Sequence, residues 1–424
     1  MKNLLKVIIL LGLVFAFSFI CSCKQDKQEK KTSVPTVKVT IKHDEGIKLI
    51  DDKPLDVTKG ETWKVVKEKV AQKYSVLEGF TFEGFHLNDE NGAGLQDTYV
   101  FEKDTAIFIK SVKDKWVKVK YADLDGYLEK ITTQDINYIH VIELVKENME
   151  GSMSGLSFRP SPLGNILIKH AGKQVALKFD ESIEGLKEMK SSFSRIPNIV
   201  SVENIPNGVE TLETCFAECT ALKEVKMLPN TVKSLKNCFN SCTSLIQPPV
   251  IPEGVQDMSD CFAMCAELQE APVLPKSVTN LEECFLYCVK LKKAPELPEN
   301  VTNIASTFMA CMLMEEMPKI PSGVTNMKFT FAACKALTKT SSIPAKVKDI
   351  RNLFLDCRKI TQVVLECPYN KTAELGQEGF YVKDAFKGCA GLKAGSITVP
   401  TAYLEDYKNG ASVLGCDASC FVGK

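Results

Sequence analysis

The sequence predicts an α/β solenoid, in which each coil contributes a short strand and a short helix, preceded by a small mixed domain. Three observations lead to this fold class: one residue recurs at a constant interval, apolar residues inside each repeat have helical spacing, and apolar residues alternate ahead of the repeats. The recurrent residue is phenylalanine, found every 23 residues at Phe193, Phe216, Phe239, Phe262, Phe285, Phe308, Phe331 and Phe354.

Composition narrows the range of functions. The chain has 424 residues, of which 45% are hydrophobic and 25% are charged, as expected of folded protein with two to four structural units. Lysine plus arginine and aspartate plus glutamate both number 53. Because no excess of positive charge is present to attract a polyanion, nucleic acid is not expected as a partner.

The N-terminus has the anatomy of a secretory signal. Lys2 and Lys6 precede an apolar run over residues 7–20, which is too short to span a bilayer comfortably. The run ends in "ICSC", which resembles the lipobox of bacterial lipoproteins. This resemblance implies lipid attachment at Cys23, which follows a small serine, rather than at Cys21, which follows bulky Ile20. A plain signal peptide cut elsewhere is the alternative.

These features predict an exported protein held at the membrane by lipid alone, in the outer membrane or at the cell surface. The expected boundaries are a signal peptide over residues 1–22 and a polar tether over residues 23–36, which contains "KQDKQEKKTSVPT". Several acyl chains hold a protein firmly, since each buried methylene contributes about 0.8 kcal/mol.

Residues 37–114 have the element order of a β-grasp domain. Val37, Val39 and Ile41 alternate as in a strand, and a second apolar stretch covers residues 47–50. One helical face follows, and "GFTFEGFHLND" and "DTAIFIKSV" are again typical of strands. That helical face comprises Trp63, Val66, Val70 and Tyr74.

The segment "GFTFEGFHLNDENGAG" resembles the Listeria–Bacteroides, or internalin B-repeat, family of small β-grasp modules on bacterial surface proteins. The resemblance rests on Gly79, Phe80, Phe82 and the pair Gly84-Phe85, where the family usually has Gly-Trp. It implies a spacer or an interaction module.

Residues 115–192 are expected to cap the first open edge of the repeat array. Tyr127, Leu128 and Ile131 indicate a helix, while "INYIHVIEL" and "KQVALKF" are typical of strands. The stretch "GSMSGLSFRPSPLGN" is expected to be a loop.

Within one repeat, the apolar spacing predicts a helix of two turns. Leu281, Cys284, Phe285 and Cys288 stand at i, i+3, i+4 and i+7, and Asn280 with Glu283 has the pattern of a capping box. A short strand is expected from Leu291, and it ends at Pro295, which has no amide hydrogen for a ladder.

Two cysteine columns pass through the repeats. Other residues take the place of cysteine in each column: Thr307, Thr330, Leu353 and Ala385 in the first, and Ile196 in the second. A buried apolar slot is therefore favoured over a metal site, because zinc needs four converging ligands. Disulfide bonds between these cysteines remain an alternative, because exported proteins can form them. The second column comprises Cys219, Cys242, Cys265, Cys288, Cys311, Cys334, Cys357 and Cys389.

The consensus F-x-x-C-x-x-L, A-P-x-L-P, x-x-V-T-N resembles the BspA-type leucine-rich repeats of bacterial surface proteins, as in "FAMCAELQEAPVLPKSVTNL". The resemblance implies a leucine-rich-repeat solenoid over residues 193–400, with a C-terminal cap over 401–424. It also implies a cell-surface protein that binds other proteins, since many members are proposed adhesins. An insertion after Phe354 contains "ECPYNKTAELGQ".

No catalytic residue, metal site or cofactor is predicted. The four histidines lie outside the repeats, and no fingerprint of a hydrolase, metalloprotease or nucleotide-binding protein is present. Cys416 and Cys420, in "CDASC", are assigned to the cap, although a redox or bridged pair is the alternative.

A row of exposed strand positions is the candidate binding face. The expected function is adhesion to, or recognition of, a protein on a host or neighbouring cell, and a structural role in the cell envelope is the alternative. For the row itself, the alternative is an ordinary solvated surface without a ligand. No small-molecule substrate and no enzyme activity are expected. The row comprises Glu224, Gln247, Glu270, Lys293, Glu316 and Lys339.

Overall fold

The computed structural model of the protein describes residues 34–77, 80–113, 115–154, 157–180, 183–369 and 381–424. The predicted signal, Cys23 and the tether up to residue 33 lie outside these ranges. The same holds for most of the insertion after Phe354. The chain divides into two compact units, and the second begins at Lys115.

The first unit contains a mixed four-stranded sheet with strand order β3-β1-β6-β5. Strands β1 and β6 are parallel neighbours in the middle, whereas β3 and β5 pair antiparallel at the edges. A two-stranded sheet joins β2 to β4. The elements are β1 (Thr36–His43), β2 (Ile47–Leu49), β3 (Leu55–Thr58), α1 (Trp63–Ala71), β4 (Tyr74–Val76), β5 (Phe80–Leu87) and β6 (Thr105–Lys113).

Most of the elements predicted for this unit are confirmed. Trp63, Val66 and Val70 form the buried face of α1, as their spacing predicts, and Phe85 packs edge-on against Trp63 with ring centroids 4.8 Å apart. Tyr74 was wrongly placed on that face, because α1 ends at Ala71 and Tyr74 begins β4. The sequence also gave no sign of β3, which has four residues.

The second unit begins with a parallel five-stranded sheet of order β13-β12-β11-β8-β7. The predicted strands β8 and β11 are confirmed, but the predicted loop over 151–165 contains a hairpin and the start of α4. Ser161 caps α4 by accepting a hydrogen bond from the Gly164 amide, 3.1 Å away. The elements are β7 (Val117–Lys120), α2 (Leu124–Lys130), β8 (Asn137–Ile142), α3 (Lys146–Met149), β9 (Ser152–Ser154), β10 (Ser157–Arg159), α4 (Pro162–Lys169), β11 (Val175–Phe179), β12 (Ile199–Glu203) and β13 (Glu224–Val225).

The helix predicted in each coil is wrong. Residues 183–369 contain no helix, and the apolar stripe lies instead on a chain of tight turns. Glu283 and Tyr287 have φ values of 56° and 57°, in the left-handed region that interrupts an α-helix. Corresponding residues in the neighbouring coils have the same conformation, among them Asp260, Met264, Ser306 and Ala310.

Hydrogen bonds explain why turns replace a helix. Amides of Leu281, Glu283 and Phe285 donate to carbonyl oxygens of the next coil, at 3.1, 2.8 and 2.9 Å. The amides between them, such as that of Cys284, donate three residues back within their own coil. A helix would commit every amide to its own coil, whereas this alternation joins the coils to one another.

The phenylalanines that recur every 23 residues form one column of stacked rings. Neighbouring rings have centroids 5.5 to 6.1 Å apart, and their planes differ by 3° to 20°. Phe179 extends the column at its N-terminal end and Phe386 at its C-terminal end. All ten rings are fully buried.

The C-terminal end contains a parallel three-stranded sheet and two short helices. The helix predicted in "VPTAYLEDYKNG" is present as α5, and its Tyr407 is buried and donates a hydrogen bond to the Cys367 carbonyl oxygen, 3.0 Å away. One hydrophobic core extends from Val119 to Phe421. The elements are β14 (Val363–Val364), β15 (Ile397–Val399), α5 (Leu404–Asn409), α6 (Ala411–Leu414) and β16 (Phe421–Gly423).

Candidate functional site

The structure aligns the six candidate binding residues along the array. Parallel backbone bridges join Glu224 to Gln247, Glu270 to Lys293 and Glu316 to Lys339. Five of the six side chains are exposed, and Glu224 is half-buried. The row therefore exists as a surface feature, because the 23-residue period sets one member directly beside the next.

Charge alternates over the last four members of this row, from Glu270 to Lys339. Lys339 Nζ lies 3.4 Å from Glu316 Oε2, but the two side chains remain 72% and 64% exposed. Solvent screens such a pair, so its contribution to stability is small. These charges are accordingly accessible to a partner.

A column of prolines opens grooves beside the row. Pro249, Pro272, Pro295 and Pro318 each follow a row residue by two positions and provide no amide hydrogen. Within the described array, no backbone hydrogen bond joins residues 271–274 to residues 294–297. The backbone pairing between neighbouring coils therefore ends at the prolines. A groove of about 440 Å³ lies between the two segments.

Two row residues, Glu270 and Lys293, line this groove. A neighbouring groove of about 720 Å³ continues across the next coil, and its lining includes Lys293, Glu296 and Glu316. The two grooves share the segment from Lys293 to Glu296, so three successive coils contribute to one recessed surface.

Sequence reasoning missed an exposed apolar column next to the row. Met227, Val250 and Val273 are 65%, 80% and 88% exposed, although they are large hydrophobic residues. Each follows a row residue by three positions, so the column was recoverable from the repeat period. Clustered exposed apolar side chains with a polar rim are typical of binding surfaces. We name the row, the grooves and this column together the array face.

The cysteines do more than fill space. Each thiol of the second column donates a hydrogen bond to the phenylalanine carbonyl oxygen of the preceding coil, with S···O distances of 2.9 to 3.3 Å. Thr307 and Thr330 donate similarly from the first column, to Leu281 and Ile304. Leu353 and Ala385 occupy the same column without a polar side chain, so a donor is not required at every position there.

All fifteen cysteines among the described residues are free thiols, and the same residues contain no cluster of histidine, cysteine or acidic side chains that could hold a metal ion. Burial raises the pKa of Cys219 and Cys288 to about 12. Burial also raises the pKa of Cys416, in the C-terminal "CDASC", to about 12, and Cys420 adds to the effect. These thiols are protonated at neutral pH and are poor nucleophiles.

None of the four histidines is a member of the array face. His170 Nε2 lies 2.6 Å from Asp125 Oδ1, and Lys169 Nζ lies 2.6 Å from Asp125 Oδ2. Hydrogen bonds from Lys169 and then His170 lower the pKa of Asp125. His43 and His86 each contact a backbone carbonyl oxygen. None of the helices that the structure describes is long and apolar enough to cross a membrane.

Three solved structures are similar to this chain at low sequence identity. A leucine-rich repeat protein from Bacteroides ovatus is 18% identical, with a TM-score of 0.42 over 82% of this chain and 78% of the other. A T. pallidum leucine-rich repeat protein is 19% identical, with a TM-score of 0.29 over 59% and 86%. A leucine-rich cell surface protein from Faecalibacterium prausnitzii is 14% identical, with a TM-score of 0.27 over 77% and 94%. No curated protein matches this sequence.

The repeats themselves match a described family. The BspA type leucine rich repeat region matches in six copies, over residues 187–313 and 258–393. Proteins with these repeats are typically found at the cell surface, generally bind other proteins and are generally not enzymes. The stacked coils, the buried phenylalanine column and this match together identify residues 187–393 as BspA-type leucine-rich repeats.

Proposed function

We propose that this protein is an exported bacterial lipoprotein, anchored through Cys23, whose leucine-rich-repeat solenoid binds a surface protein in adhesion or recognition. The first unit serves as a β-grasp spacer or accessory interaction module. The observation that carries this proposal is the array face, where exposed apolar side chains lie beside accessible charges and recessed grooves.

The apolar column supports a protein ligand. Val250 and Val273 are 80% and 88% exposed and lie in adjacent coils, so they present a continuous apolar strip to solvent. Burying such a strip against a partner contributes roughly 25 cal/mol per Å² of apolar surface. The alternating charges of Glu270, Lys293 and Glu316 would then supply specificity at the rim.

Paired aspartate substitutions test the array face. The soluble protein from Lys24 is immobilised and incubated with purified matrix proteins, as the wild type and as the Val250→Asp/Val273→Asp double variant. We expect the double variant to lose binding, because two buried charges would be unpaired at the interface. The matched control is Met264→Asp, which changes an exposed apolar residue of the same array outside this face. Equal binding by all three proteins would show that the ligand is held elsewhere.

A second test addresses the anchor. In a detergent phase-partition assay, the wild type should enter the detergent phase, and Cys23→Ser should remain in the aqueous phase, because acyl chains supply the membrane affinity. Cys21→Ser is the control and should behave as the wild type. Aqueous partitioning of the wild type would indicate a plain signal peptide instead.

A structural role in the envelope is the second candidate. It is favoured by the strongly mixed charge of the row, which suits contacts with several partners. Retention by an extract of the organism's own envelope, without retention by matrix proteins, would support the structural role and exclude adhesion.

A further inference from the structure

We propose that the ligand of the array face is an amphipathic helix of the partner protein, which lies along the axis of the array with one apolar side chain per turn against the apolar column. This role rests on the function proposed above and specifies the form of the ligand. The next turn of the same helix carries a lysine or arginine opposite Glu296. The spacing of the coils, the charges beside the column and the poor fit of a second copy support this assignment.

The apolar column has a defined length. Met227, Val250 and Val273 occupy the same position in three successive coils and are 65%, 80% and 88% exposed. The coil before them has Asn204 at this position, and the coil after them has Glu296. A ligand that fits the column therefore has an apolar stripe of three contacts with a polar residue at each end.

The spacing of the coils matches the pitch of an α-helix. Where backbone bridges join the row, as from Glu224 to Gln247, neighbouring coils are about 4.8 Å apart. The phenylalanine rings of the three coils are 5.7 and 5.5 Å apart between centroids. A helix advances 5.4 Å per turn and places residues i, i+4 and i+7 on one face. Its apolar stripe therefore meets Met227, Val250 and Val273 in step.

An extended segment does not match this spacing. Side chains on one face of a strand repeat every two residues, or about 6.7 Å. A strand laid along the array would therefore be out of step by about 2–4 Å at the third coil. A strand laid across the array, along one coil, would contact only one member of the column. The column thus favours a helical ligand over an extended one.

The charges beside the column select a basic residue on the ligand. Glu296 continues the column and is exposed. Lys319, the next member of the column, pairs with Glu299 at 3.5 Å, so it does not neutralise Glu296. A lysine or arginine on the fourth turn of the helix would therefore complement Glu296 at the rim of the contact. The two grooves beside the column are together net negative, since the charged residues that line them are Glu270, Glu296, Glu299, Glu315, Glu316, Lys292, Lys293 and Lys319.

A second copy of the chain fits the column poorly. If two columns faced each other in antiparallel orientation about Val250, Glu224 of one copy would oppose Glu270 of the other, because both belong to the neighbouring row. If they faced each other in parallel, Glu296 would oppose Glu296. Like charges so placed are destabilising, whereas a helix can carry a basic residue at this point. The charges thus favour a helix of a different protein.

Two peptides of the same composition test the form of the ligand. The first has leucines at i, i+4 and i+7 and a lysine at i+11, which lie on one face of a helix. The second has the same residues with its leucines at alternate positions, as in a strand. Fluorescence anisotropy measures the binding of each labelled peptide to the soluble protein from Lys24. The helical peptide should bind more tightly than its permuted form by about tenfold or more.

Variants locate the contact. Val250→Asp/Val273→Asp should abolish binding of the helical peptide, and Met264→Asp, the exposed apolar control, should leave it unchanged. Glu296→Lys should weaken binding by about tenfold, and a peptide with glutamate in place of its lysine should restore it. Glu184→Lys is the matched control, because it reverses an exposed charge ahead of the array. It should leave the affinities of both peptides unchanged.

The outcomes separate a helical ligand from the function proposed above. If the double aspartate variant loses matrix-protein binding but the helical peptide fails to bind, or binds more weakly than its permuted form, the array face remains a binding site and the helical ligand is overturned. Equal binding of the helical peptide by the wild type and the double variant would overturn it too. So would a dimer, detected by analytical ultracentrifugation, that the double variant dissociates.

Discussion

At the scale of single residues, the sequence predicted where the repeat cysteines lie but not all of what their side chains do. Substitution of cysteine by threonine and isoleucine within the columns correctly predicted that these positions are buried. The hydrogen bond from each second-column thiol was not predictable from the sequence, because Ile196 occupies the same slot and donates nothing. Its acceptor, a phenylalanine carbonyl oxygen in the preceding coil, becomes evident only when the coils are stacked.

The role of these thiols can be tested at Cys265. Its Sγ donates to the Phe239 carbonyl oxygen at 3.2 Å, and that oxygen also accepts from the Cys242 amide. If this hydrogen bond stabilises the fold, Cys265→Ser should have a free energy of unfolding about 1 kcal/mol higher than that of Cys265→Ala. Guanidinium chloride unfolding gives both free energies. A more stable alanine variant would mean that the cysteine is only an apolar filler.

At the scale of the element, the repeat period predicted which residues stack but not the path of the chain between them. Leu281, Cys284, Phe285 and Cys288 are buried, as the spacing predicts, but both a helix and a series of three-residue turns can bury that pattern. Turns prevail because alternating amides then bond to the neighbouring coil. This contribution to stability is nonlocal and is therefore absent from a single repeat.

The turn conformation that replaces the predicted helix can be tested at Ala333, because it reverses the expected change in the free energy of unfolding. This residue has a φ of 59°, and the corresponding position after the insertion is Gly388, with a φ of 79°. Because the left-handed conformation is strained for alanine, Ala333→Gly should stabilise the protein by about 0.5–1 kcal/mol. In a helix the same substitution would destabilise by about 1 kcal/mol.

Gly388→Ala is the reciprocal variant. A side chain at this position would collide with Asp356, so it should lower the free energy of unfolding. Thermal unfolding of both variants distinguishes the two conformations. Destabilisation by Ala333→Gly would favour the helix.

The phenylalanine column predicts local effects of mutation. Phe262 lies between Phe239 and Phe285, at centroid distances of 5.5 and 5.7 Å, and is fully buried. Phe262→Ala should destabilise by about 3–5 kcal/mol and should increase hydrogen exchange mainly in the coils of its two neighbours. Phe262→Leu is the control and should have a smaller effect at the same positions. Uniform loss of protection throughout the array would contradict this expectation.

At the scale of the whole molecule, the ends of the array were the least predictable part. The sequence indicated caps, because a repeat array must cover its terminal coils, and it identified β8, β11 and α5. It did not indicate α4 or the three-stranded sheet formed by β14, β15 and β16. Strands of two or three residues carry too short a pattern to be recognised, and their pairing depends on partners more than twenty residues away.

The buried thiols make stability depend on pH over the whole array. Burial raises the pKa of Cys219, Cys288 and Cys357 to about 12, whereas thiols in an unfolded chain titrate at about 8.5. Between these values the folded state binds more protons than the unfolded state. The free energy of unfolding should therefore be nearly constant up to about pH 8, and should then fall by about 1.4 kcal/mol per pH unit for each such thiol.

Guanidinium chloride unfolding at pH 7, 9 and 10 measures this slope. Cys288→Ala is less stable at every pH, because it loses a buried side chain, but it also removes one titrating thiol. Its free energy should thus decline less steeply above pH 9, by about 1.4 kcal/mol per unit relative to the wild type. Exposed lysines titrate equally in both proteins and cancel in the comparison. Parallel curves for the two proteins would show that Cys288 already ionises in the folded state, which is incompatible with a thiol sealed inside the stacked coils.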